Sequence, residues 1–149
     1  MAHLLVVAHT PLASALQAVA RHVYPDCGMQ LAGVDVAPGA SLDEVTAQVR
    51  EALVAAAGEE VLILVDVFGA TPCNAAVAAA DGVRSRVVAG VNVPMLWRTL
   101  CYADQPLDDL VNRAVAGAAQ GVMHVTVPKR QNQAISDLSH DQVQHHHQQ

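Results

Sequence analysis

The chain has 149 residues, with 8 Lys and Arg against 14 Asp and Glu for a formal charge of −6, a size that suits one domain with a real core. Apolar residues make up 52% and aromatic residues only 3%, which excludes a disordered or collagen-like chain and suits small helices packed on a sheet. Apart from Lys129-Arg130 the basic residues are scattered, so no nucleic-acid partner is expected.

Cys27, Cys73 and Cys101 are odd in number and lack CxxC spacing, which speaks against a disulfide framework or zinc site and fits a reducing, cytoplasmic setting. No apolar run approaches the roughly 20 residues needed to cross a bilayer, and the N-terminus lacks a leader pattern, so a soluble, unsecreted protein without membrane insertion is expected.

In chain order, Leu4 to Ala8 reads as a strand, Pro11 to Tyr24 as a helix and Gln30 to Val36 as a strand. Ser41 to Ala57 reads as a helix opened by the capping box Ser41-Leu42-Asp43-Glu44. Val61 to Val65 is an unbroken apolar strand, Pro72 to Ala80 a helix, Ser85 to Ala89 a strand, and Pro94 to Tyr102 and Leu107 to Ala119 are helices. Gly121 to Val127 alternates polar and apolar residues, which suits a last edge strand, antiparallel or lent to a partner. The Gln, Asn and His-rich stretch 129–149, ending in His145-His146-His147-Gln148-Gln149, has little to bury and is expected to be a mobile tail to a domain spanning 1–128. Continuous apolar strands alternating with helices predict an α/β fold of three layers, with a mostly parallel central sheet in the order 2-1-3-4.

Several strands end on a polar residue with a proline close behind: His9 before Thr10-Pro11, Asp66 before the loop to Pro72, and Asn92 before Pro94. Proline suits the first turn of a helix and pushes the preceding residue out of the helical region, so Thr10 and Thr71 read as N-caps. Carried on neighbouring parallel strands, His9, Asp66 and Asn92 meet at the carboxyl edge, where open α/β sheets bind ligands, beside helix N-termini that favour anions. In the loop Gly69-Ala70-Thr71-Pro72-Cys73-Asn74 the glycine permits a tight turn, and successive free N–H groups suit phosphate oxygens. Neither GxxxxGK[ST] nor GxGxxG is present, so no nucleotide cofactor is expected.

Each of these residues also has a purely structural reading, as a satisfied strand-end histidine, a turn aspartate or a cap. Cys73, in the first turn of a helix, reads as a buried spectator or as the thiol of a small hydrolase acting with His9. His9 and Asp66 lack a third strong ligand among the strand ends, so no metal is expected.

The segments Ala8-His9, Leu64-Val65-Asp66-Val67-Phe68-Gly69-Ala70-Thr71-Pro72-Cys73-Asn74-Ala75-Ala76 and Ala89-Gly90-Val91-Asn92-Val93-Pro94-Met95-Leu96 together resemble the mannose-family enzyme IIA of the bacterial phosphoenolpyruvate:sugar phosphotransferase system, over roughly residues 4 to 127. The resemblance implies a homodimer that exchanges its last antiparallel strand, a phosphoryl group carried on His9 through Nε2 and an orienting role for Asp66. It further implies phosphate contacts from Gly69, Ala70, Thr71 and Thr10, with Phe68, Asn92, Pro94 and Met95 at the edge of the site. HPr is the implied phosphoryl donor and a separate enzyme IIB-type protein the acceptor, with no cofactor; a regulatory module read out by its phosphorylation state is the alternative. Many relatives have Gly after the histidine and Gly-Gly-Ser before the proline, where this chain has Thr10 and Ala70-Thr71.

Overall fold

The computed structural model describes residues 1–130; most of the tail expected over 129–149 lies outside them. Strands β1 (His3–His9), β2 (Leu31–Val36), β3 (Val61–Val65) and β4 (Ser85–Ala89) form one parallel sheet in the order β2-β1-β3-β4. Between and after them run helices α1 (Leu12–Val23), α2 (Leu42–Ala55), α3 (Thr71–Ala79), α4 (Val93–Leu100) and α5 (Leu107–Gln120), with a single 3-10 turn at Gly28–Gln30. The class and strand order are those the alternation predicts.

The period-two alternation of the strands divides the core between the two faces of the sheet. Leu4, Val6, Ala8, Leu62 and Leu64 pack against residues of α1, α4 and α5, among them Leu16, Leu96 and Leu110. On the other face Leu5, Val7, Ile63 and Val65 pack against Val45 and Val49 of α2 and Ala75 and Ala76 of α3. All five residues of β3 are buried, each contributing on the order of 1.5–3 kcal/mol of transfer free energy. That double burial explains why the central strands read as unbroken apolar runs.

The chain moves from β1 out to β2 and then returns past β1 to β3. The direction of winding therefore reverses between β1 and β3, and the crevice at their carboxyl ends is the place where such sheets bind ligands.

Within the described residues the chain forms neither the last edge strand nor the two threonine caps. Residues 122–130 form no strand there, and Val122, Met123, Val125 and Val127 are 69–79% exposed. An edge strand needs a neighbour for its ladder, and none of the described residues supplies one here, as a strand lent to a partner requires. Nor are Thr10 and Thr71 helix caps: Pro11 occupies the cap position of α1, and Ala70 that of α3, with Thr71 its first helical residue. Ser41 does cap α2, with the reciprocal Glu44 bond of a capping box.

Candidate functional site

His9 is the last residue of β1 and Asp66 follows directly on β3, so the β1–β3 pairing, with Val7 opposite Val65, brings them together. The His9 backbone N–H donates to Asp66 Oδ2 at 2.9 Å, and His9 Nδ1 lies 2.7 Å from the same oxygen. Asp66 Oδ1 accepts the Val67 N–H at 2.9 Å. The carboxylate is thereby locked before it touches any ligand.

Partial burial pushes the Asp66 carboxyl upward, but the backbone N–H and ring of His9 and the Val67 N–H outweigh it and hold it below its ordinary value. An ionised carboxylate only accepts, so the ring nitrogen facing it carries the proton. In the neutral ring the lone pair is then on Nε2, and the His9 side chain is 55% exposed. The sheet edge presents an oriented nitrogen nucleophile to solvent.

The loop after Asp66 is open on the same edge. Val67 and Gly69 are exposed, and Phe68 is 85% exposed. Gly69 has φ +85, and a Cβ there would meet nothing within 4 Å, so the requirement for glycine is the left-handed backbone rather than space. Asn74 braces the turn, its Nδ2 donating to Gly69 O at 3.3 Å and its N–H to Ala70 O at 3.0 Å. Ala70 gives α3 no side-chain cap, and Pro72 sits in the first turn. The N–H groups of Thr71 and Cys73 and the Thr71 hydroxyl have no acceptor or donor partner among the described residues, leaving donors for an anion.

The third segment contributes in another way. Asn92 lies beyond β4, two strands from β1, and its side chain is engaged: Oδ1 accepts the Met95 N–H at 2.9 Å and Nδ2 donates to Ala118 O at 3.3 Å. Pro94 packs so closely on Gly121 that a Cβ at Gly121 would clash with the ring. Met95 is 1% exposed, within the core. Among the named positions, His9 and Asp66 are in direct contact, and the 67–71 loop follows Asp66.

Cys73 is 4% exposed and packed into the core under the sheet, which removes the thiol of the hydrolase alternative from solvent and from His9 chemistry. Among the described residues no group of three or more His, Cys, Asp or Glu gathers to hold a metal ion, and no helix is long and apolar enough to cross a membrane.

Pattern reading overlooked Asp35, on β2. Its Oδ1 accepts the Ser14 N–H at the start of α1 at 3.1 Å. The signal was available, since Asp35 also lies near the end of a strand with Pro38 three residues on, the signature shared by the other strand ends.

The model of the EIIA-man family, described as PTS system fructose IIA component, matches residues 3–115. The chain belongs to this family. The PTS system fructose-specific EIIA component of Bacillus subtilis (strain 168) is 44% identical over 63 residues, 41% of this chain. That aligned stretch spans 43% of the relative's own length. Among solved structures, the mannose/sorbose specific IIA subunit of the phosphotransferase system from Enterococcus faecalis superposes with a TM-score of 0.78 at 24% identity, covering 86% of this chain and 97% of that one. The phosphotransferase system component EIIA from Streptococcus agalactiae gives 0.74 at 21% identity, covering 83% and 97%. These EIIA structures share the fold of the chain, and the family model takes in β1 through most of α5, with His9, Asp66 and the 67–71 loop inside it.

Proposed function

We propose that the chain is a phosphoryl carrier of the sugar phosphotransferase system, accepting a phosphoryl group from phospho-HPr on His9 and passing it to a separate enzyme IIB-type protein. The observation that carries this reading is the Nδ1 to Asp66 contact of 2.7 Å, which leaves the lone pair on Nε2 of a side chain that is 55% exposed.

In the proposed step, Nε2 of neutral His9 attacks phosphorus in line with the donor's P–N bond. That bond breaks, its electron pair returns to the donor imidazole, and a P–N bond forms at Nε2. Positive charge develops on the His9 ring, whose Nδ1–H already points at the Asp66 carboxylate, so the compensating charge is in place before the reaction. The equatorial oxygens of a loose transition state carry the negative charge. The N–H groups at the start of α3 and the hydroxyls of Thr71 and Thr10 are their proposed donors, and the step uses neither nucleotide nor metal.

The same reading assigns the exposed residues to partners. Phe68 stands exposed on the loop that follows Asp66, a side chain suited to anchor a docking protein. The bare apolar segment from Val122 to Val127 is assigned to a second copy of the chain, adding a strand to a sheet as the resemblance implies.

Incubation with phosphoenolpyruvate, enzyme I and HPr, followed by intact mass, tests the carrier role. One acid-labile phosphoryl group is expected on the wild type and none on His9→Ala. An adduct that survives His9→Ala contradicts the proposal.

A further inference from the structure

We infer that Asp35 is a positioning residue for phosphoryl transfer, acting on His9 through the first turn of α1; the inference rests on the reading of His9 given above. α1 starts at Leu12, three residues after His9, and the residue at its cap position, Pro11, makes no side-chain cap bond. A helix start left this way carries orphan N–H groups, and losing a good cap weakens the first turn. Here the acceptor comes from the neighbouring strand. Asp35 Oδ1 takes the N–H of Ser14, the third residue of the helix, at 3.1 Å, the bond that a cap side chain ordinarily makes.

The register explains how Asp35 reaches it. β1 and β2 run parallel with Ala8 opposite Asp35 and His9 opposite Val36, so Asp35 sits at the edge where α1 departs. Two further bonds tie the same segment: the Thr10 N–H donates to Val36 O at 3.0 Å, and Ser14 Oγ donates to Pro11 O at 3.0 Å. His9 is thus held from both neighbouring strands. Asp66, after β3, fixes its ring and its N–H, while β2 fixes the chain that leaves it, through Val36 O and the Asp35 carboxylate. A negative charge at a helix N-terminus is also favourable.

The body of α1 does not depend on Asp35. Ala13, Leu16 and Ala20 are buried against the sheet, and Gln17 Nε2 donates to Leu31 O at 2.8 Å. Removing the acceptor therefore loosens the first turn, which begins three residues after His9, and leaves the rest of the helix docked. Nucleophilic attack tolerates little positional error, and a misplacement near 1 Å costs up to ~10²-fold.

Single-turnover transfer from phospho-HPr, measured over a range of donor concentrations, tests the inference. Asp35→Ala is expected to lower the limiting rate roughly 5- to 30-fold while leaving the half-saturating donor concentration within about twofold. Asp35→Asn keeps an oxygen for the Ser14 N–H and is expected to restore the rate to within about threefold of wild type. Histidine 15N spectra give a second readout, with the Nδ1–H signal of His9 expected to broaden by solvent exchange in Asp35→Ala and to persist in Asp35→Asn. Asp35→Ala turning over at the wild-type rate, or Asp35→Asn losing tenfold, overturns the inference. The second result does so even if Asp35→Ala does not fold. A wild type that takes up no phosphate removes the reading of His9 itself and this inference with it, whereas phosphorylated wild type with an equally fast Asp35→Ala removes this inference alone.

Discussion

Asp66 Oδ2 accepts from one residue twice: the backbone N–H of His9 at 2.9 Å and its ring Nδ1 at 2.7 Å. One oxygen thereby fixes where β1 ends and how its terminal imidazole is turned. Replacing it with an amide keeps an acceptor but removes the charge that balances the ring as phosphorus is attacked. Charge-assisted bonds are worth about 1.5–3 kcal/mol, so Asp66→Asn is expected to retain the fold and slow phosphorylation roughly 10- to 100-fold. Single-turnover kinetics with circular dichroism as a control measure this, and an unchanged rate would remove Asp66 from the mechanism.

Phe68, 85% exposed, contributes almost nothing to the core. Phe68→Ala is accordingly expected to leave stability within about 0.5 kcal/mol of wild type. As a docking anchor its loss should cost more than about 1 kcal/mol of binding, read as a fivefold or larger rise in the half-saturating concentration of phospho-HPr. Equal docking by the two proteins would show that the aromatic ring serves some other purpose.

The apolar residues from Val122 to Val127 are bare in the isolated chain. If a second copy covers them, light scattering on size-exclusion fractions should give twice the chain mass for wild type. Val125→Asp puts a charge into the covered face and should shift the protein toward monomer. A monomeric wild type at the same concentration would dismiss the exchanged strand.

Asp81 lies at the opposite end of the sheet, ahead of β4. Its Oδ1 accepts the N–H groups of Val83, Arg84 and Ser85 and the Ser85 hydroxyl, at 2.8–3.0 Å, and these bonds, the Val83 N–H foremost, pull the carboxyl down to about 2. A folded-state value below the unfolded one means stability that is complete above the ordinary value of 3.8 and lost as pH falls toward 2. Asp81→Ala should therefore melt below wild type at neutral pH, with the gap closing between about pH 4 and pH 2. A gap of constant size across that range would mean that the ionised carboxylate is not what holds the turn.

Local and pairwise regularities made much of the fold legible in the chain. Val61–Val65 ends where its apolar run ends, because a strand buried on both faces leaves no polar position inside it. The Ser41 capping box is visible because both partners lie within four residues. What escaped is non-local. Thr10 looks like a cap by its place before Pro11, yet the bond is made by Asp35 from another strand, which no window along the chain contains. Likewise Gly121–Val127 has the alternation of an edge strand but no neighbour among the described residues to complete it. Of the site, His9 and Asp66 were legible as polar strand ends. Their contact required the strand order, and Asn92 and Met95, equally marked in sequence, are taken up by the α4 start and the core.

The central claim is that Nε2 of His9, with Nδ1 turned to Asp66, carries the phosphoryl group. Nitrogen-phosphorus coupling measured by NMR on protein labelled with 15N-histidine and phosphorylated through HPr tests it most directly. The account expects one coupled nitrogen, assigned to Nε2 of His9, with Nδ1 still protonated. Coupling at Nδ1, or at a histidine other than His9, would contradict it.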